Sequence, residues 1–257
     1  MLKRKYFCIV VIGLLILLNS SVRSQTFGFG CLGFFGSYGG FTYQKYDAAG
    51  LNGYVNLFNQ LSNPDQQLSE FKHATGYRVG LNFFRATFQG GFIFTAKGYY
   101  QSLGKKNYAS FQADEGQVNT AWDLDLKNWA IGFDLGIEIT KHFSLKILDG
   151  AIHFNNVALT ETKNFPGDSQ VEKYKNEAGE IGYSVGTGII ISIIKDYISI
   201  EGLAGYASIT IDEVRNEEGV PFGSWVIPAI FATPPEKKFI ESGGFTAVVQ
   251  LNIGFPL

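Results

Sequence analysis

The feature that most constrains this chain is a side-chain alternation that recurs along eight segments. Within each segment apolar or aromatic residues alternate with small or polar ones, which is the period that a β-strand with two different faces requires. The segments cover residues 27–46, 73–84, 87–102, 120–139, 143–157, 179–194, 197–213 and 239–255. The pattern therefore predicts a fold built almost wholly from β-strands.

The connections between the segments alternate strictly between long and short. Three are short enough for tight turns, at residues 85–86, 140–142 and 195–196. The long ones cover residues 47–72, 103–119, 158–178 and 214–238. An even strand number with both chain termini on the short-turn side is typical of membrane barrels. We therefore expect an all-β fold: a transmembrane antiparallel up-and-down β-barrel of about eight strands, with short periplasmic turns and four long extracellular loops.

The two faces of the segments differ in polarity. In segment 120–139, Trp129, Ile131 and Phe133 share one face, whereas Asn128, Asp134 and their even-numbered neighbours share the other. Assigned in this way, six charged side chains point inward, three of each sign: Arg78, Lys97, Asp134, Glu138, Lys146 and Glu201. Eight strands enclose an interior that side chains can fill. We expect a hydrogen-bonded polar core, and the alternative is a proton relay or gated pore.

The first residues have the pattern of a secretory signal peptide. Lys3, Arg4 and Lys5 precede the apolar run 6–18, which is shorter than the roughly 20 residues of a spanning helix. Small Ser24 precedes Gln25, where we expect cleavage. The predicted organisation is a cleavable signal peptide over residues 1–24 and one outer-membrane barrel domain over residues 25–257.

Several kinds of function are disfavoured by composition. The net charge of −2 provides no basic field to attract nucleic acid, so no nucleic-acid partner is expected. Of the two cysteines, Cys8 lies in the leader, which leaves Cys31 without a disulfide partner. His73, His142 and His153 lack metal-ligand spacing, and no metal, cofactor or catalytic residue is expected.

Two of the long connections contain apolar residues. In residues 47–72 the spacing of Leu51, Val55 and Phe58 predicts a short amphipathic helix before Asn63, which would cap the barrel or dock a partner. The last connection carries an apolar cluster that something should cover. Its candidate partner-contact residues are Phe222, Trp225, Ile227, Ile230 and Phe231. The alternative is that this loop folds over the barrel mouth or dips into lipopolysaccharide.

Taken together, these features resemble the small outer-membrane barrels: the transmembrane domain of outer membrane protein A, the OmpX type and the barrel proteins of the Bacteroidota. The resemblance covers residues 25–257 and includes the final segment from Gly243 and Gly244 to Gly254 and Phe255. It departs from the family where Pro256 and Leu257 follow the last aromatic residue. The resemblance implies an integral protein of the cell outer membrane, in contact with membrane lipid and lipopolysaccharide.

The leading functional hypothesis is a non-enzymatic barrel with a filled interior. It would serve envelope structure or act as an interaction platform, as a subunit of a secretion or surface-assembly complex that contacts envelope proteins through its extracellular loops. One alternative is a narrow channel or transporter for small or apolar solutes. A second is a lipid-modifying enzyme that uses His153 with a serine and an acid.

The leader assignment predicts the mature N-terminus. Protein purified from outer membranes should begin at Gln25, because Ser24 is the small residue that a signal peptidase requires before the cleaved bond. N-terminal sequencing and intact mass measure this directly. A mature chain that retains residues 6–18 would contradict the assignment.

Overall fold

The computed structural model describes residues 35–88, 90–113, 116–177, 179–224 and 237–255. The predicted signal peptide, residues 1–24, lies outside these ranges. So do four of the five candidate partner-contact residues: Trp225, Ile227, Ile230 and Phe231. The described residues form nine strands and one helix. These are β1 (Phe35–Lys45), α1 (Ala49–Ser62), β2 (His73–Thr87), β3 (Phe92–Ala113), β4 (Gly116–Thr140), β5 (Phe143–Phe165), β6 (Asp168–Lys175), β7 (Glu180–Ile194), β8 (Ile198–Ala207) and β9 (Gly244–Phe255).

Eight of the described strands close into an antiparallel barrel. The order around the ring is β1-β2-β3-β4-β5-β7-β8-β9, and β9 returns to pair with β1 from Phe35↔Phe255 to Gln44↔Thr246. Strand β6 lies outside the ring and pairs with the last part of β5. We call the end with the β2–β3, β4–β5 and β7–β8 turns the turn end, and the opposite end the loop end. The predicted fold class is confirmed.

The two faces of the barrel wall have opposite polarity. Outward side chains are apolar and exposed, among them Trp129 (62%), Ile131 (67%) and Val249 (61%). Inward side chains at alternate positions are buried and mostly polar, such as Gln101, Asn128 and Gln250. On β4 the outward apolar stripe runs from Trp129 to Ile139, about 25 Å along the barrel axis for tilted strands. Among the described residues, no helix is long and apolar enough to cross a bilayer.

Two of the predicted long loops are continuations of strands. Strands β3 and β4 pair without interruption out to Ala113↔Gly116, and β5 pairs with β6 out to Phe165↔Asp168. The predicted third segment ended too early, at residue 102, and the predicted fourth segment began too late, at residue 120. Alternation continues beyond residue 102 in the buried Leu103, Asn107 and Ala109, but the opposite face carries Lys106 and polar residues instead of a membrane-facing apolar row. At the turn end β2 extends to Thr87, so the first tight turn follows residues 85–86 instead of occupying them.

The predicted amphipathic helix is confirmed as α1. Its residues Gly50, Leu51, Val55 and Phe58 are buried, on one face of the helix. Asn63 ends it in the left-handed conformation, with φ of 40°, and its backbone N–H donates to the Asn59 carbonyl. Two asparagines of α1 hold the chain segment that follows the helix. The Asn52 side chain hydrogen-bonds the backbone of Phe71, and the Asn59 side chain hydrogen-bonds the backbone of Leu68.

Close packing inside the barrel makes a prediction about two glycines. A Cβ at the inward Gly80 would lie 2.4 Å from the Tyr38 ring and 2.6 Å from the Gly98 carbonyl oxygen. Gly80→Ala should therefore lower stability by about 1–3 kcal/mol. The matched control is Gly39→Ala, whose Cβ would meet Val79 at an ordinary 3.8 Å. Urea unfolding of the reconstituted variants measures the difference, and equal stabilities would contradict the assigned inward packing.

Candidate functional site

Five charged side chains meet inside the barrel and form what we call the interior ion cluster: Lys97 on β3, Asp134 on β4, Lys146 and Asp149 on β5, and Glu201 on β8. Lys146 Nζ lies 2.5 Å from Glu201 Oε1, 2.9 Å from Asp134 Oδ2 and 3.5 Å from Asp149 Oδ2. Lys97 bridges Asp149 and, at 3.5 Å, Asp134. Every member is buried. Because each ammonium contacts two or three carboxylates, no charge of the cluster lies buried alone.

A second set of polar groups lies beside the cluster, toward the loop end. The Arg78 guanidinium donates to Gln101 Oε1 at 3.0 and 2.7 Å and lies 4.0 Å from the centroid of the Tyr99 ring. Thr42 Oγ1 donates to the same oxygen at 3.3 Å. Together, Arg78 and the ion cluster comprise three positive and three negative buried side chains. The barrel interior is therefore close to electrically neutral.

The structure brings five of the six predicted inward charges into this interior. Arg78, Lys97, Asp134, Lys146 and Glu201 are all 5% exposed or less. Glu138 also points inward but lies at the turn end, where its side chain is 31% exposed and pairs with Lys195 at 3.8 Å. It belongs to the rim, since the opening there leaves it in contact with water.

Asp149 is a buried inward charge that was not predicted from the sequence. The pairing of β5 with β7 shifts register between Lys146 and Asp149, and this β-bulge turns both side chains inward although they are three residues apart. A strict period of two places Asp149 on the outer face. The only hint in the sequence is that an outward carboxylate at this height would face lipid.

His153 lies in the interior beside two hydroxyl groups. Its Nε2 is 2.9 Å from Ser184 Oγ and 3.0 Å from the Tyr99 hydroxyl, and the imidazole is 2% exposed. A serine and a histidine thus meet as a hydrolase would require. However, the cavity next to Ser184 has a volume of about 20 Å³, which is room for one water molecule. A lipid substrate has no access to this pair in the described structure.

The turn end opens into a small polar cavity of about 50 Å³. Its inner end is formed by the ion cluster, and its mouth is lined by Lys141, Lys195, Tyr197 and other residues of the turns. Water can therefore approach the cluster from the turn end. Among the described residues, no group of three or more histidine, cysteine, aspartate or glutamate side chains is placed to hold a metal ion.

The loop end is closed by a hydrophobic cluster that we call the apolar cap. Trp122 is at its centre, with ring centroids 5.1 Å from Phe222 and 5.7 Å from Phe58 of α1. The other buried members include Leu51, Val55, Phe71, Leu103, Leu124, Leu126, Leu159, Tyr174, Ile211, Phe239 and Ile240. The Trp122 indole N–H donates to Glu161 at 3.0 Å, which satisfies the polar atom at the centre of the cap.

Phe222, which was predicted to contact a partner, is a member of this cap. It is 4% exposed and makes edge-on ring contacts with Tyr54, Trp122, Tyr174 and Phe239. Burial and the neighbouring Glu172 carboxylate raise the pKa of Tyr174, so its hydroxyl stays protonated and donates to Glu172. The first part of the last loop therefore folds over the barrel mouth, as the alternative prediction had it.

Beyond the barrel, β3, β4, β5 and β6 continue as a four-stranded sheet that we call the loop-end sheet. One row across its outer face consists of Tyr108, Ala121, Thr162 and Val171, and the next consists of Lys106, Asp123, Thr160 and Lys173. Tyr108 and Val171 are 55% and 64% exposed. Within the described residues β6 pairs with β5 alone, apart from one bridge between Lys175 and Arg215. No other described strand pairs with the far edge of β6 over most of its length.

A closed antiparallel barrel with an apolar outer belt and a filled polar interior is a transmembrane β-barrel. Among solved structures, the chain is similar to Ail, the attachment invasion locus protein of Yersinia pestis, with 12% identity and a TM-score of 0.39 over 87% of this chain and 99% of that one. A second Ail structure, in complex with the heparin analogue sucrose octasulfate, has a TM-score of 0.38 at 12% identity, over 86% and 99% of the two chains. The outer membrane protease OmpT from Escherichia coli has 11% identity and a TM-score of 0.42 over 90% of this chain and 99% of that one.

At these identities and TM-scores the likenesses carry no information on activity. No protein-family model and no curated protein matches the chain. What the chain does must therefore be inferred from its own residues.

The ion cluster predicts that two lysines differ strongly in their contribution to stability. Lys146→Met should lower stability by about 3–5 kcal/mol, because it leaves carboxylates buried with too little positive charge. The matched control is Lys195→Met, whose side chain is 56% exposed, and it should cost about 1 kcal/mol or less. Urea unfolding in lipid vesicles, followed by tryptophan fluorescence, measures both. Equal losses would contradict a cluster that depends on Lys146.

Proposed function

We propose that this protein is a non-catalytic outer-membrane barrel that anchors a recognition surface on the cell exterior. The observation that carries the proposal is the closure of the barrel at two levels: the ion cluster fills the interior and the apolar cap covers the loop end. The feature that projects from the wall is the loop-end sheet. We assign the interaction to this sheet.

Placement in the outer membrane is supported by the outer belt and by the predicted leader. The belt height of about 25 Å matches the apolar band of outer-membrane barrels. Tyr100 and Trp129, with ring centroids 5.0 Å apart, lie at its upper border, where aromatic rings prefer the membrane–water interface. The described chain begins and ends at the turn end, which we place in the periplasm. The apolar cap and the loop-end sheet then face outward.

A channel or transporter is disfavoured by the cap. A solute that enters from the turn end meets a cavity of about 50 Å³ and then the buried salt bridges. To continue, it would have to displace Trp122, Leu124, Leu126 and Leu159, all 2% exposed or less. Opening such a cluster would expose several large apolar side chains to water, each at a cost of about 1.5–3 kcal/mol.

The free edge of β6 suggests how the platform engages its partner. An exposed strand edge presents unpaired backbone N–H and C=O groups to which an extended peptide can add. Asp168, Glu172, Lys173 and Lys175 place charges of both signs along β6, which disfavours uncontrolled pairing between copies. The partner we propose is therefore an envelope or extracellular protein with an extended segment that binds beside β6.

Two matched hairpin deletions test this proposal. Replacing residues 162–171 with Asn-Gly removes the outer part of the β5–β6 hairpin and retains the Glu161–Trp122 bond of the cap. Replacing residues 110–119 with Asn-Gly shortens the β3–β4 hairpin by the same length. After cross-linking on intact cells, a stoichiometric protein partner should accompany the wild type and the β3–β4 variant, and be lost from the β5–β6 variant.

Each variant must retain the heat-dependent gel mobility of a folded barrel. Equal capture by both shortened variants would contradict a role of the β6 edge. A protein that passes steady ionic current in planar bilayers would contradict the closed barrel and support the channel hypothesis.

A further inference from the structure

The outer wall of the barrel contains an apolar groove of about 590 Å³ on the turn-end side of the aromatic pair Tyr100 and Trp129. Its lining also includes large apolar residues and two small ones: Val79, Leu81, Phe83, Ile131, Ser37 and Gly98. We call this cavity the wall groove. Its position on the outward face of β1 to β5 distinguishes it from the polar interior already described.

The wall groove exists because two small residues lie in a row of large ones. Strand pairing places Ser37, Leu81, Gly98, Ile131 and Ile152 side by side across five strands. Gly98 cannot carry a side chain without displacing Phe83, since a Cβ there would lie 2.8 Å from the Phe83 ring. Phe83 occupies the bulge between Asn82 and Phe84, where β2 shifts register against β3. The depression is thus built into the strand register.

A basic side chain lies just beyond the upper end of the wall groove. Lys127 is exposed and lies on the same outward face of β4 as Trp129. It is two residues, or about 7 Å, closer to the loop end than Trp129. Within the described residues it makes no salt bridge. Lys175 lies in the next outward row, which it shares with Asp125. This is the height at which a lipid phosphate lies when its acyl chains fill the belt below.

We propose that the wall groove and Lys127 bind one phosphorylated lipid of the outer leaflet. An acyl chain would occupy the groove, beside the Tyr100 and Trp129 rings, and the headgroup phosphate would lie against Lys127. The wall is concave here and has a cation at the loop-end side of the groove, so one site can hold both an acyl chain and a phosphate. The inference rests on the outer-membrane placement proposed above.

The test uses lipid A as the probe, in its phosphorylated and dephosphorylated forms. It is added to full-length protein in mild detergent, and native mass spectrometry counts the retained lipid molecules. Wild type should retain one phosphorylated lipid A per chain. Ser37→Phe fills the groove and should weaken retention of both forms about tenfold or more. Lys127→Gln should remove the preference for the phosphorylated form.

Two matched substitutions serve as controls. Ala204→Phe adds the same ring to an outward position of β8, far around the wall, and Lys45→Gln removes an exposed lysine near the loop end of β1. Both should retain lipid A as wild type does. Equal loss from Ser37→Phe and Ala204→Phe, or a phosphate preference that survives Lys127→Gln, would overturn the proposed site.

Cell fractionation separates the failure of this inference from that of the proposed placement. A heat-modifiable protein in the outer-membrane fraction that retains no lipid A would contradict only the lipid site. A protein found outside that fraction would contradict the placement itself.

Discussion

The pairing of β1 with β9 is the contact on which the rest of the structure depends. A strand inside a bilayer has no water to satisfy its backbone N–H and C=O groups, so every edge must be paired. The ten residue pairs from Phe35↔Phe255 to Gln44↔Thr246 remove the last open edges of the ring. Closure in turn creates two environments: an outer face that must be apolar, and an interior from which bulk water is largely excluded.

The enclosed interior explains why its charges are arranged as a balanced cluster. A single buried ion would cost several kcal/mol, and the cost is reduced only when partners and hydrogen bonds surround it. Lys97 and Lys146 both contact Asp134 and Asp149, and Lys146 also contacts Glu201. The cluster therefore joins four strands, β3, β4, β5 and β8. At the loop end the same enclosed space is closed by apolar packing around Trp122. Polar filling and apolar closure together are the basis of the surface-recognition role that we propose.

Prediction from the sequence succeeded where the polarity of a residue by itself indicates which face of the strand or helix it occupies. Alternation identified the barrel and five buried inward charges: Arg78, Lys97, Asp134, Lys146 and Glu201. The helical spacing of Leu51, Val55 and Phe58 identified α1. It failed at Asp149, because a β-bulge changes the face of a residue without changing the residue. It also failed for residues 103–113, where a strand that leaves the membrane loses its apolar face and resembles a polar loop. The contacts of His153 with Ser184 and Tyr99 join three strands, and nothing local in the sequence indicates them.

The sequence by itself determined the class of fold, the two faces of the wall and the sign of the charges inside it. These follow from local periodicity, because a strand of period two exposes its alternate residues to two different solvents. Only the tertiary structure decided that the loop end is capped, that β6 has a free edge and that the wall is concave at Gly98. Each of these depends on the register between strands distant in the chain, where a shift of one residue exchanges inside for outside.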